Sequence, residues 1–169
     1  GQQRGQDSTV DKGSVFTRWR HTCDPSPVDM HDGQLRVTTD IVGNLVVQQF
    51  PEWASLPIRR VRSGGTVNAI FRLGDELAAR LPLQRRDVET ARTWLESEAT
   101  AARRLGAATS VPVPEPVASG EPDSAYPLPW SIQTWLPGVT ASEDDPGHSE
   151  AFAVDLARFI RDVRAIDTE

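Results

Sequence analysis

Cysteine, lysine and methionine are almost missing from this chain: Cys23, Lys12 and Met30 are each the only residue of their kind among 169. A lone cysteine excludes a disulfide framework and a cysteine-based zinc site. A single lysine means that any site ordinarily built on an ammonium group must here use arginine, which supplies nearly all of the positive charge. No apolar run approaches the ~20 residues of a membrane span, and the first residues lack the apolar core of a signal peptide. Those absences make a reducing cytoplasm the expected location. Surplus positive charge is absent too. The net charge of −6 argues against nucleic acid or an anionic membrane surface as the main partner. What remains is 38% hydrophobic and 25% charged, the composition of a globular chain long enough for one domain with a core.

Residues 1–34 carry no helical or strand period, and their charges nearly balance, so a disordered N-terminal extension is expected there. The stretch before Met30 reads as vector-derived or upstream-translated sequence. Thr39-Asp40 then looks like a helix start, with Ile41, Val42, Leu45, Val46 and Phe50 at helical spacing until Pro51.

The stretch from Arg59 to Pro82 organises the rest. Three short extended runs are interrupted by Ser63-Gly64-Gly65-Thr66 and by Gly74-Asp75, which is a hairpin signal repeated twice. Two adjacent glycines without Cβ let a backbone approach a ligand closely, and N–H groups in such a turn can face phosphate oxygens. Most turns of this kind are only turns. Asp87 is a plausible N-cap for a helix running to about Leu105 and stopped by Gly106. Its apolar positions are Val88, Ala91, Leu95, Ala102 and Leu105, with Trp94 beside them. Continuing that spacing lands on Glu98, so a carboxylate falls on the inward stripe and wants a cation. Arg80, on the preceding strand, is the best candidate. The alternative, equally weighted, is that Glu98 reaches solvent at the stripe's edge. Arg92, Arg103 and Arg104 could be phosphate ligands, but they fall on the exposed side of the helix and read more simply as solubilising; Trp53 and Trp94 read as core.

Val111 to Pro116 alternates with proline and cannot enter a central sheet. Pro116 to Ser119 can start an edge strand, and Tyr126 to Leu136 forms the next strand before Pro137-Gly138. Ser149 caps a final helix with Phe152, Leu156, Phe159, Ile160, Val163 and Ile166 on one face. That face has no later partner in the sequence.

In this order, FPEWASLPIRRVRSGGTVNAIFRLGDELAARLP, VPVPEPVASGEP, YPLPWSIQTWLPG and DLARFIRDVRAID resemble the N-terminal half of the aminoglycoside phosphotransferase family, over about residues 35–169. The resemblance implies an α+β protein-kinase-like N-lobe: an antiparallel sheet of about five strands with an inserted helix, plus the first helix of a truncated C-lobe. It divides the chain into the extension 1–34, a nucleotide-binding N-lobe and hinge 35–136, and a linker with the first helix of an incomplete C-lobe 137–169. It implies ATP and Mg²⁺ as cofactors, and a nucleotide and a small-molecule hydroxyl acceptor as partners.

Residue by residue, the resemblance puts Ser63, Gly64, Gly65, Thr66 and Asn68 in the loop over the ATP phosphates, although this loop has fewer glycines than G-x-G-x-x-G. It puts Arg80 where a phosphate-contacting lysine is usual, and Glu98 where the first helix supplies the carboxylate that orients that cation. Gln133, Thr134, Trp135 and Leu136 become the hinge that reads the adenine edge. The family's catalytic base and metal ligands come from H-G-D-x-x-x-x-N and a later I-D-W/F-x-D-like segment. His21, His31 and His148 are not followed by Gly-Asp, Asp144-Asp145 reads as a solvated loop, and Ile166-Asp167-Thr168 is a helix end. No catalytic or metal residue is therefore expected in this chain, and the piece alone is expected to be inactive. Two alternatives stand beside this reading. One is a non-catalytic nucleotide-binding or regulatory module of the same fold. The other is a kinase of the superfamily acting on choline, homoserine, a macrolide or a sugar amine.

Overall fold

The computed structural model describes residues 34–62, 67–139, 141 and 143–167. Its elements follow the chain as α1 (Thr39–Gln49), β1 (Ile58–Val61), β2 (Asn68–Leu73), β3 (Leu77–Pro82), α2 (Val88–Ala108), β4 (Pro116–Gly120), β5 (Trp130–Thr134) and α3 (Glu150–Arg164). The strands form one antiparallel sheet in the order β1-β2-β3-β5-β4. The inserted helix falls between β3 and β4, and the Pro-alternating connector delivers β4 to the edge.

Alternation along β2 decides which face is covered. Ala69, Phe71 and Leu73 are buried while Asn68, Ile70 and Arg72 are half-buried. Register carries this across the sheet: Phe71 lies opposite Ala79, and Ala79 opposite Ile132. Val42, Leu45 and Val46 of α1 join Phe71, Leu73, Leu81 and Trp130 in a single core cluster. The opposite face carries Asn68, Arg72, Arg80, Ser131 and Gln133, and stays partly open.

Local chemistry sets the ends. Thr38, one residue before the expected start, caps α1 by accepting the Ile41 N–H at 3.3 Å. Asp87 caps α2 as expected, accepting from the Thr90 N–H at 3.0 Å. Gly106 does not stop α2, which continues to Ala108. The positive-φ glycines among the described residues are Gly74 and Gly138, so Gly106 keeps a helical backbone and only weakens the helix. Thr109 ends it, its hydroxyl donating to the Leu105 and Val111 carbonyls at 3.1 and 3.2 Å. The expected strand from Tyr126 to Leu136 shortens to Trp130–Thr134. Pro127 and Pro129 have no N–H for a ladder, and the Tyr126 N–H is used by Asp123 Oδ1 at 2.8 Å.

Trp53, half-buried, packs against the core cluster as expected, whereas Trp94 is half-buried outside that cluster. Trp53 stacks on Phe50 at 5.2 Å, and the Arg86 guanidinium lies 4.3 Å from the Trp94 ring centre. Helix α3 buries no residue, with Phe152 46% and Ile160 49% exposed and Phe159 half-buried. No helix among the described residues is long and apolar enough to cross a membrane.

Candidate functional site

Strand β3 and helix α2 meet through one ion pair. Arg80 Nη1 donates to Glu98 Oε2 at 3.2 Å, with the two side chains 26% and 32% exposed. Glu98 therefore sits at the rim of the inward stripe and not beneath it, yet it takes the cation that its position calls for. An ion pair this open contributes only about 0.2–1 kcal/mol to stability. The contact is single, so the remaining Arg80 N–H groups have no partner among the described residues. A guanidinium in that state can meet an anion with two parallel N–H groups.

The pair opens on a cavity of about 230 Å³ lined by Arg80, Glu98, Ala99, Val117, Ser131 and Gln133. Ligand pockets usually hold about 300–1,000 Å³, so this cavity is smaller than a typical ligand site. Strand β4 bulges at Val117, between Pro116 and Ala118, and presents that residue to the cavity. Register puts Asn68, Arg80 and Gln133 on the same face of the sheet.

The expected hinge residues divide. Thr134 lies on the other face, opposite Leu77; its N–H donates to the Glu115 carbonyl at 2.9 Å and its hydroxyl accepts from the Glu115 N–H at 2.8 Å. The Trp135 N–H donates to the Glu76 carbonyl at 2.7 Å, and its ring lies 5.3 Å from the Arg72 guanidinium carbon. The N–H groups of Thr134 and Trp135 are thus both used within the protein. Past the end of β5, the Leu136 N–H has no partner among the described residues. Ser63, Gly64, Gly65 and Thr66 lie outside the described residues.

Asp145 accepts from the Gly147 N–H at 2.9 Å and so caps a short turn, as a solvated loop residue would. No group of three or more His, Cys, Asp or Glu residues suited to a metal occurs among the described residues.

Arg92 is not merely a solubilising charge. Its Nη1 and Nη2 donate to Glu121 Oε1 and Oε2, both at 2.7 Å. This fork raises the guanidinium's proton affinity and holds the Glu121 carboxyl below its ordinary range. The partners are 29 residues apart in the chain, and no short-range spacing signals them.

A five-stranded antiparallel sheet, a helix inserted after the third strand, and a strand-to-helix ion pair define a kinase-like N-lobe. The chain belongs to the phosphotransferase enzyme family, whose model matches residues 58–169, well over half of it. A comparison with curated proteins gives no match. Among solved structures, the GDP complex of wild-type aminoglycoside 2'-phosphotransferase-IIIa superposes with a TM-score of 0.62 at 19% identity, over 78% of this chain and 43% of that one. The GDP and kanamycin complex of APH(2")-IIia gives 0.59 at 19%, over 75% and 42%. The streptomycin-ATP-APH(2")-IIa ternary complex gives 0.52 at 18%, over 80% and 42%. The chain therefore corresponds to less than half the length of these structures. Helix α1 precedes the matched segment but shares its core.

Proposed function

We propose that residues 35–136 form the nucleotide-binding lobe and hinge of an ATP-dependent kinase, and that 137–169 are the linker and first helix of its second lobe. The parent reaction is transfer of the γ-phosphoryl group of ATP to a hydroxyl of a small molecule. An aminoglycoside-type acceptor has the best support, since solved structures of this fold hold kanamycin or streptomycin beside GDP or ATP. The single observation that carries the reading is the Arg80–Glu98 pair on the open face of the sheet, in a chain of the phosphotransferase enzyme family.

Each group has a task in this reading. Glu98 holds Arg80 by one N–H and leaves the others for phosphate oxygens, whose charge the guanidinium neutralises. Asn68 lies on the same face of the sheet as Arg80 and is the one described residue among those expected in the phosphate loop. The adenine edge is read by the Leu136 N–H and neighbouring carbonyls, because the N–H groups of Thr134 and Trp135 are already bonded. Bound nucleotide supplies the phosphoryl group; the lobe supplies its position. The described residues offer no cluster suited to a Mg²⁺ cage, and no step is assigned to the metal. Inactivity of the piece alone is part of this reading, because the sequence holds no H-G-D-x-x-x-x-N segment.

The test is calorimetric titration of the chain with Mg-ATP and with Mg-GTP, beside an Arg80→Ala variant. Weak binding by the wild type and none by the variant is the expected result. Wild-type affinity in Arg80→Ala, or phosphoryl transfer by these residues alone, would overturn the reading.

A further inference from the structure

Helix α2 is 21 residues long, yet Ala91 and Leu95 are its only buried residues. Half-buried Val88, Ala99, Ala102 and Leu105 extend that strip along one side, and a single narrow strip leaves rotation about the helix axis to the contacts on its flanks. At 100° per residue, Glu98 lies about 40° to one side of that strip and Arg92 about 80° to the other. A rotation of about 20° carries an atom at the outer radius of about 5–6 Å through about 2 Å. That is enough to part Glu98 from Arg80.

Arg92 is held from the far flank by the two-bond fork to Glu121, which immediately follows β4. Glu121 is itself fixed. Its N–H donates to Gln49 Oε1 at 2.7 Å, and its carbonyl accepts from Gln49 Nε2 at 3.0 Å, at the end of α1. Gly120 beside it packs against the Trp130 ring so closely that a Cβ would collide. The carboxylate that grips α2 is therefore mounted on α1 and the sheet, and not on a free loop.

From this arrangement we infer that the Arg92–Glu121 fork is a positioning device: it sets the rotation of α2 and so holds Glu98 in reach of Arg80. The inference rests on the nucleotide reading for its functional consequence, since a displaced Glu98 leaves Arg80 misplaced for phosphate. Neither Arg92 nor Glu121 lines the cavity beside Arg80, so both act through Glu98.

Arg92→Ala, Glu121→Ala, the double variant and the swap R92E/E121R separate this role from plain stability. Glu121→Ala leaves the main-chain bonds to Gln49 in place. The readouts are Mg-ATP affinity by calorimetry, melting temperature, and amide hydrogen exchange over α2. Each single variant should weaken Mg-ATP about three- to tenfold, the double variant no more than either, and the swap should restore affinity to within about twofold. Exchange near Glu98 should quicken in the single variants while the melting temperature falls by only a few degrees, about 2–4 °C. Wild-type affinity and exchange in both single variants would overturn the inference, as would losses that simply add in the double variant. If the wild type binds no Mg-ATP, the nucleotide reading fails by itself. Exchange then decides the positioning claim: unchanged exchange around Glu98 in Arg92→Ala rejects it.

Discussion

The buried Tyr126 hydroxyl donates a 2.7 Å hydrogen bond to the carbonyl of Pro82, 44 residues away, where β3 ends. It ties the β4–β5 connection to the strand that carries Arg80. Asp123 shapes the near side of that connection by accepting the N–H groups of Ala125 and Tyr126.

Tyr126→Phe should cost about 1–3 kcal/mol, because a buried carbonyl loses its donor while the ring stays in place. Denaturant unfolding measures it. Burial also pushes the Tyr126 hydroxyl above its ordinary value of 10.0. The folded state then holds that proton more tightly than the unfolded one. This contribution is full below pH 10 and declines as pH rises above it toward the folded value. Wild-type stability should therefore fall more steeply than that of Tyr126→Phe above pH 10, and parallel curves would reject the assignment.

Glu98→Gln and Arg80→Ala should each lower stability by no more than about 1 kcal/mol, since both partners are partly exposed. The same variants should weaken Mg-ATP by about tenfold or more if Arg80 meets phosphate. A large stability loss with unchanged nucleotide affinity would make the pair a structural strut.

Gly120→Ala should destabilise by about 1–3 kcal/mol, as its methyl would enter the Trp130 ring, which is fully buried and cannot retreat. Thermal melting reads this directly. Gly138→Ala differs in cause: nothing lies within 4 Å of its Cβ position, but its φ of 158° is one that L residues rarely adopt, so any cost there is backbone strain and not a clash.

The Glu121 carboxyl is held below its ordinary value of 4.5 by Arg92. The fork therefore contributes above pH 4.5 and is lost as pH falls through the lowered value. Stability curves of wild type and Glu121→Gln should converge at the acid end and separate above it, by a small and salt-sensitive margin because the pair is exposed.

Phe152, Leu156 and Ile160 lie 46%, 45% and 49% exposed on α3. Replacing Phe152 and Ile160 by serine should lower dye binding and light scattering without lowering the melting temperature. A drop in melting temperature would mean that this face is packed in solution.

Local signals placed most elements within a residue or two. Hydroxyl or carboxyl caps began α1, α2 and α3 at Thr38, Asp87 and Ser149, and glycine or proline broke the strands. Gly106 misled because a helix tolerates a glycine whose φ stays negative. Trp94 misled because an arginine face can cover a ring as a core does. Glu98 was legible as a carboxylate out of place on an inward stripe.

By itself, the order of residues determined the alternation of β2, the caps and the carboxylate that needed a cation, because each depends on neighbours within four positions. Tertiary structure alone decided that Arg92 grips Glu121, that Gln49 holds Glu121 from α1, and that among the described residues the N–H groups of Thr134 and Trp135 find partners while that of Leu136 does not. Those contacts join groups as much as 72 residues apart, and only the folding of the sheet brings them within hydrogen-bond reach.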